Sequence, residues 1–330
     1  MNEKAVSKPI KKKFDSSRLI ENLYKYGLYV VFVGLLLFFS RFNVNFLTTG
    51  NMMNLLTQTV TASIAAAGLA FVMITGGIDI SVGSVIFMTS VIVATITNAG
   101  VGLFGAIVVA LACGAAIGGI NGFLIAKLKM APLIVTLAMM FVIRGLTIYV
   151  VGIQVVTFRN DVAMFLARTR IFDVIPVMVI IMAIVLAAAQ FVLSKSAFGR
   201  RLFAIGNNKH GAETMSINVT RNVFVCYVIC GAMAGLAGLI AGAQIGGIPP
   251  TFAVGQEFII ISSAVLGGVS LFGGKGRAFP GVFLGVLIIM TIENGLVMAR
   301  ANMYAFTIFR GIVIFLAVFL DSARNRGAYK

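Results

Sequence analysis

Asp79 is a carboxylate set in hydrocarbon. The segment Thr-Gly-Gly-Ile-Asp-Ile-Ser-Val-Gly-Ser at 75–84 places one acid, paired glycines and two serines between long apolar runs. Roughly 20 apolar residues span a bilayer, and a charge near the centre of such a span costs roughly 3 kcal/mol or more. Asp79 therefore belongs at a broken helix end, or against protein or water. Gly76 and Gly77 can end one helix, after which Asp79 or Ser81 can cap the next by accepting from its orphan N–H groups. The alternative is a broken helix whose exposed backbone and carboxylate face a polar translocation path. The other intramembrane ionisable residues are Arg144, Glu293 and Arg310. With two acids and two bases, mutual pairing competes with substrate contact as their role. Asp79, Ser81, Arg144 and Glu293 are the candidates for such a path.

No catalytic constellation accompanies them. His210 is the single histidine and lies in a polar loop far in sequence from any nucleophile, which argues against an enzyme. Gly273-Gly274-Lys275-Gly276 resembles a phosphate loop, but GxxxxGK[ST] would need Gly at Val269 and a hydroxyl at Gly276. It reads as a Gly-rich turn. Cys113, Cys226 and Cys230 all sit in apolar stretches and read as small buried hydrophobes, with neither a disulfide nor a metal site expected. No cofactor is implied, and no cleavable signal peptide is evident.

The elements that must position Asp79 are membrane spans. Sixty per cent of the 330 residues are hydrophobic, 11% are charged and the mean hydropathy is +1.04, the composition of a polytopic membrane protein. Apolar runs predict an all-α chain of about ten transmembrane helices near 24–41, 54–75, 80–98, 102–126, 131–152, 172–194, 222–245, 256–272, 278–298 and 302–320. The net charge of +16 would suggest nucleic acid in a soluble chain; here the cations are topology signals. With the N-terminus cytoplasmic, nineteen of the 26 basic residues fall inside, five fall outside, and Arg144 and Arg310 lie within spans. Both termini are therefore expected in the cytoplasm, as a basic tail at 1–23 and a short tail at 321–330 flanking a transmembrane domain at 24–320. Trp is absent, so Tyr24, Tyr26, Tyr29, Tyr149, Tyr227 and Tyr304, near span ends, are the expected interfacial belt.

Two polar segments are long enough to act: Gly152 to Arg170 outside, and the 194–221 loop inside, a plausible docking surface. Glycines recur at helical spacing, as Gly114, Gly118 and Gly122, as Gly231, Gly235, Gly238, Gly242 and Gly246, and as Gly281 and Gly285. Such stripes let helices approach closely where lipid gives no drive for their association. A proton- or sodium-coupled carrier would show paired acidic interruptions in its two halves, and only the first half has one. The energy for any transport would then come from another subunit.

Three stretches, in order, resemble the permease subunits of ribose-type ABC importers. Residues 75–84 are similar to that family's Gly-Ile-Asp-Leu-Ser-Val-Gly-Ser signature. Phe198-Gly199-Arg200 with Ala204-Ile205-Gly206-Asn207-Asn208 resembles its cytoplasmic loop. Val265 to Gly276 resembles its Gly-Gly-x-Ser-Leu-x-Gly-Gly-x-Gly stretch, followed by Glu293-Asn294-Gly295-Leu296. The resemblance implies a bacterial inner-membrane permease working beside a second copy or sister chain. A soluble binding protein outside would deliver a monosaccharide, and a pair of ATP-binding subunits inside would grip a coupling helix near Ala204 to Val219, with Ala204, Gly206, Asn207, Asn208 and Glu213 as coupling residues. A sugar-derived signal or polyol is an alternative cargo, and a self-sufficient secondary carrier the alternative class. The chain departs from the pattern at Asn207-Asn208 and His210-Gly211, and at Glu257 to Ser263, where an expected aspartate is missing.

Overall fold

The computed structural model describes residues 16–302 and positions 308, 309, 311, 312, 315, 319 and 322, with side chains from Tyr26 onward. Helices occupy nearly every expected span. They are α1 (Ser16–Ser40), α2 (Thr49–Ile74), α3 (Val82–Asn98), α4 (Leu103–Gly122), α5 (Pro132–Val151), α6 (Asp161–Arg168), α7 (Val177–Lys195), α8 (Ala197–Asn207), α9 (Lys209–Thr214), α10 (Val219–Ile245), α11 (Gln256–Leu266) and α12 (Phe283–Met298). Wide π-type turns extend α4 through Lys127 and open α12 at Ala278. Four two-residue strands add little sheet: β1 (Val156–Thr157) pairs antiparallel with β4 (Gly247–Ile248), and β2 (Arg170–Ile171) with β3 (Ile175–Pro176). The chain is thus predominantly helical and polytopic. Six of its helices, Thr49–Ile74, Leu103–Lys127, Pro132–Val151, Val177–Lys195, Val219–Ile245 and Ala278–Met298, are long and apolar enough to cross a bilayer. Tyr26–Ser40, Val82–Asn98 and Gln256–Leu266 are shorter apolar helices. Of the expected span at 302–320, positions 308, 309, 311, 312, 315 and 319 are helical; Tyr304 and Arg310 lie outside the described residues.

Several boundaries depart from the sequence reading. Helix α1 begins at Ser16, inside the segment expected as a tail. Helix α7 begins at Val177 rather than 172, because the β2–β3 hairpin turns through Phe172 and Asp173, both at positive φ. Helix α11 stops at Leu266 rather than 272, where Gly268 takes φ 89° and the chain enters the Gly-rich turn. The single coupling helix expected near Ala204 to Val219 is instead two helices. Ser196 caps α8 through Gly199 N (2.9 Å), Asn208 caps α9 through Gly211 N (2.9 Å), and Asn218 caps α10 through Arg221 N (2.9 Å). Each capping oxygen satisfies an orphan N–H and starts a new helix.

Helix α2 is the central post, buried along most of its length, and α10 packs against α4, α2 and α3. The α4–α10 contact is an antiparallel glycine seam. A Cβ on Gly114 would strike the Gly231 carbonyl, one on Gly118 the Tyr227 carbonyl, and one on Gly235 the Ala110 carbonyl. Backbone meets backbone there, as small residues permit in a membrane. Cys226 and Cys230 are buried, as small hydrophobes would be, and Cys113 is half-buried. Tyr227 corrects the aromatic-belt reading: it is fully buried, about two turns into α10.

Candidate functional site

The break after α2 is built by glycine. Thr75 ends the helix, Gly76 follows at φ 82°, and the Gly77 and Gly76 amides bond the Val72 and Met73 carbonyls at 3.1 and 2.9 Å. This is a Schellman motif, which needs a residue comfortable in the left-handed region. The chain then runs non-helically through 78–81, which hydrocarbon would tolerate only where protein surrounds the backbone. Here it does. Asp79 is 2% exposed, its Oδ1 accepting from Ser81 N at 2.9 Å and Ser81 Oγ at 2.6 Å. Ser81 Oγ in turn accepts from Asn121 Nδ2 at 3.0 Å, and Tyr227 Oη donates to the Ile78 carbonyl at 3.1 Å. Ser81 occupies the N-cap position of α3 without capping it, because its hydroxyl is given to Asp79.

Directly after this break the three motif stretches meet. The Gly274 amide donates to the Ile74 carbonyl at 2.9 Å, tying the Gly-rich turn to the last residue of α2. Gly206 of α8 seats on both: a Cβ there would overlap the Ile74 carbonyl oxygen and the Gly274 nitrogen. Gly273, at φ 89°, would set a Cβ 3.0 Å from Gly76 N and 3.1 Å from Gly206 O. Asn207 Nδ2 bonds the Phe203 carbonyl at 2.8 Å, and its Oδ1 lies against Gly274. Backbone of α8 is thus packed directly on the last residue of α2 and on the Gly-rich turn.

At the opposite end, beside the strands, a cavity of about 590 Å³ opens between α2, α10, α11 and α12. Its polar lining is Gln58, Thr61, Gln244, Thr251, Gln256 and Glu293. Gln244 is fixed by Nε2 to the Thr57 carbonyl at 2.9 Å and by Oε1 accepting from Thr61 Oγ1 at 3.4 Å. Arg144 approaches from α5, donating from Nη1 to the Phe252 carbonyl at 3.1 Å, with its guanidinium 5.2 Å from the centre of the Phe87 ring. Glu257 is 5% exposed, accepts from Gly255 N on Oε1 at 3.2 Å, and leaves Oε2 buried without a hydrogen bond, against Gly83.

Comparison with known proteins agrees with the motifs. Residues 51–318 match the family described as branched-chain amino acid transport system / permease component. The chain belongs to this family. It is 38% identical to the ribose import permease protein of Escherichia coli (strain K12), over 87% of this chain and 90% of that protein. It is 35% identical to that organism's D-allose transport system permease protein, over 90% and 91%, and 32% identical to its L-arabinose transport system permease protein, over 92% of each. No solved structure matches the chain.

Within this permease, the expected path residues separate. Asp79 and Ser81 are joined to one another, Glu293 lines the strand-end cavity, and Arg144 contacts the wall segment through Phe252. Pairing of Asp79 with Arg144 is not the arrangement adopted, since Asp79 accepts from Ser81 and Arg144 donates to a carbonyl. Among the coupling candidates, Gly206 and Asn207 sit at the junction, Ala204 accepts from Asn208 N at 3.1 Å in the last turn of α8, and Asn208 caps α9. Glu213 is exposed and lines a separate cavity of about 440 Å³ with Lys129, Lys209, Gly76 and Tyr227. Sequence reasoning missed Glu257, Gln244, Gln58 and Asn121. Glu257 falls inside the predicted span 256–272, where a carboxylate is itself a signal, and the uncharged amides in apolar helices carry the same warning, because hydrocarbon leaves an amide needing partners.

Proposed function

We propose that this chain is the membrane-spanning subunit of an ATP-driven importer, passing a monosaccharide such as a ribose-like pentose or a hexose. The observation that carries the reading is the strand-end cavity. Its amides and hydroxyls match the alternating donors and acceptors of a sugar, and its apolar members, Phe252 and Met290 among them, suit the faces of a sugar ring. The named sugars of the relatives support the same cargo. A branched-chain amino acid, named in the family description, would want a cation for its carboxylate, and among the described residues no Lys or Arg lines this cavity.

In this reading the strand end faces outward to a soluble binding protein, and α8 and α9 face two ATP-binding subunits in the cytoplasm, with no ATP hydrolysis by the chain itself. Both termini are cytoplasmic, about ten helices cross the bacterial inner membrane, and a second permease copy completes the path. The 24–320 permease domain is then driven through the 194–221 loop, with Ala204, Gly206, Asn207, Asn208 and Glu213 as its coupling contacts. Closure of the motors moves α8, Gly206 carries the displacement to Ile74 and Gly274, and the helix break at Asp79 and Ser81 lets α2 and α3 shift against each other. Such a cycle needs contacts that differ between the two states.

The test is to purify the intact complex, identify the co-purifying binding protein, and measure ATPase activity and uptake in vesicles. Uptake of ribose, allose or arabinose that requires ATP and the binding protein is expected. Proton- or sodium-driven uptake by the chain alone would assign it to secondary carriers instead.

A further inference from the structure

A cleft unconnected with the sugar cavity lies where α7 ends and the Gly-rich turn begins. Its volume is about 520 Å³, and it is lined by Leu28, Leu193 and Phe203 together with Gln190, whose Oε1 is taken by Phe279 N, and with Ser194, Lys275 and Arg277. The two groups differ in exposure: Leu193 is buried and Leu28 and Phe203 half-buried, while Ser194, Lys275 and Arg277 are exposed. The cleft is amphipathic, with an apolar floor and a cationic rim. Gly267, Gly268 and Gly276 form much of the remaining wall and leave room for a headgroup.

Depth fixes what such a cleft meets. Leu193 and Ser194 lie in the last turn of α7, which ends at Lys195, and Gly267 follows directly on Leu266 at the end of α11. The rim is therefore at the level where membrane helices leave hydrocarbon. Below it, Val30 of α1 and Phe191 of α7 are exposed on the apolar surface, which in a bilayer faces acyl chains. Lys275 and Arg277 make no hydrogen bond or ion pair with any described residue through their side chains, and no carboxylate lines the cleft. Exposed Lys195, Arg200 and Arg201 add positive charge at the adjoining α7–α8 corner.

We infer that this cleft seats one anionic phospholipid. Lys275 and Arg277 hold its phosphate, and the first carbons of a chain lie on Leu28, Leu193 and Phe203. Basic pockets between helices at the membrane surface recognise anionic headgroups in this way. The inference stands apart from the import reading, since it requires only that the chain sit in a bilayer.

The chain contains no Trp, so a single introduced Trp reports without background. Phe203→Trp and, as a second reporter on an exposed position, Ser194→Trp would be made in the full-length protein. Each would be titrated in mixed micelles with phosphatidylglycerol or phosphatidylcholine brominated on the acyl chains. Half-maximal quenching is expected at a mole fraction of brominated phosphatidylglycerol on the order of tenfold lower than for phosphatidylcholine. Lys275→Gln with Arg277→Gln should bring the two lipids together. Equal quenching by both lipids in either reporter, or a preference that survives the double substitution, overturns the assignment. So does displacement of the phosphatidylglycerol effect by millimolar inorganic phosphate, which would make this a site for a free anion.

Discussion

Gly206→Ala puts one methyl group where three backbone segments converge. Its Cβ would overlap the Ile74 carbonyl oxygen and the Gly274 nitrogen, which are themselves bonded to each other at 2.9 Å. Neither neighbour is a flexible side chain, so the methyl is accommodated only by parting α8 from the end of α2 or by breaking that bond. Overpacking costs roughly 1–3 kcal/mol, and the lost hydrogen bond about 1 kcal/mol net. Alanine returns up to about 1 kcal/mol of helix propensity. The net loss of stability is then about 1–3 kcal/mol. Gly145→Ala supplies the control, because within α5 its Cβ would meet nothing within 4 Å and only the propensity gain remains. Thermal unfolding of the full chain in detergent should place Gly206→Ala below wild type and Gly145→Ala at or slightly above it. In vesicles with the ATP-binding and binding-protein partners, Gly206→Ala should transport less sugar per ATP hydrolysed. Wild-type stability together with an unchanged sugar-to-ATP ratio would refute the backbone-seated junction.

Gly118→Ala should cost roughly 1–3 kcal/mol by forcing α4 away from the Tyr227 carbonyl, and an unfolding midpoint equal to wild type would show that the seam yields. Asp79→Asn keeps an oxygen able to accept from both Ser81 N and Ser81 Oγ, so fold and uptake should stay near wild type, while Asp79→Ala strands the Ser81 amide at roughly 1–3 kcal/mol. Abolished uptake by a well-expressed Asp79→Asn protein would mean that the charge itself acts. Gln58 lines the cavity, and its side chain makes no hydrogen bond with any described residue; Gln58→Ala should leave the unfolding midpoint alone and raise the sugar concentration for half-maximal uptake about tenfold, the worth of one hydrogen bond. An unaltered concentration dependence would remove Gln58 from the sugar's contacts. Reversal of charge at Glu213, at the exposed α9, is expected to lower coupled uptake without affecting membrane insertion, and normal uptake would move the coupling surface elsewhere.

Local rules reached far into this chain because lipid simplifies them. Apolar length located α2, α3, α4, α5, α7, α10, α11 and α12 but not α6, α8 and α9 in the polar segments, and the Gly76-Gly77 pair announced the break before Asp79, since a Schellman ending needs glycine whatever surrounds it. The glycine stripes at 114, 118, 231 and 235 announced close helix contact, although which helices would meet was not readable. The caps at Ser196, Asn208 and Asn218 were visible as residue types, but a loop reading overlooked that three caps make two short helices before α10.

Partners were the part that the sequence withheld. Nothing local distinguishes Tyr227, buried on the Ile78 carbonyl, from an interfacial tyrosine, or brings Asn121 to Ser81 across forty residues of chain. By itself the sequence determined that the chain lives in lipid, where its helices break, and which family it resembles. Only the tertiary structure decided that Ile74, Gly206 and Gly274 form one junction and that Gln58, Gln244 and Glu293 share one cavity. Hydropathy and helix endings are fixed by each residue's immediate neighbours, whereas these meetings depend on how α2, α8, α10 and α12 pack together.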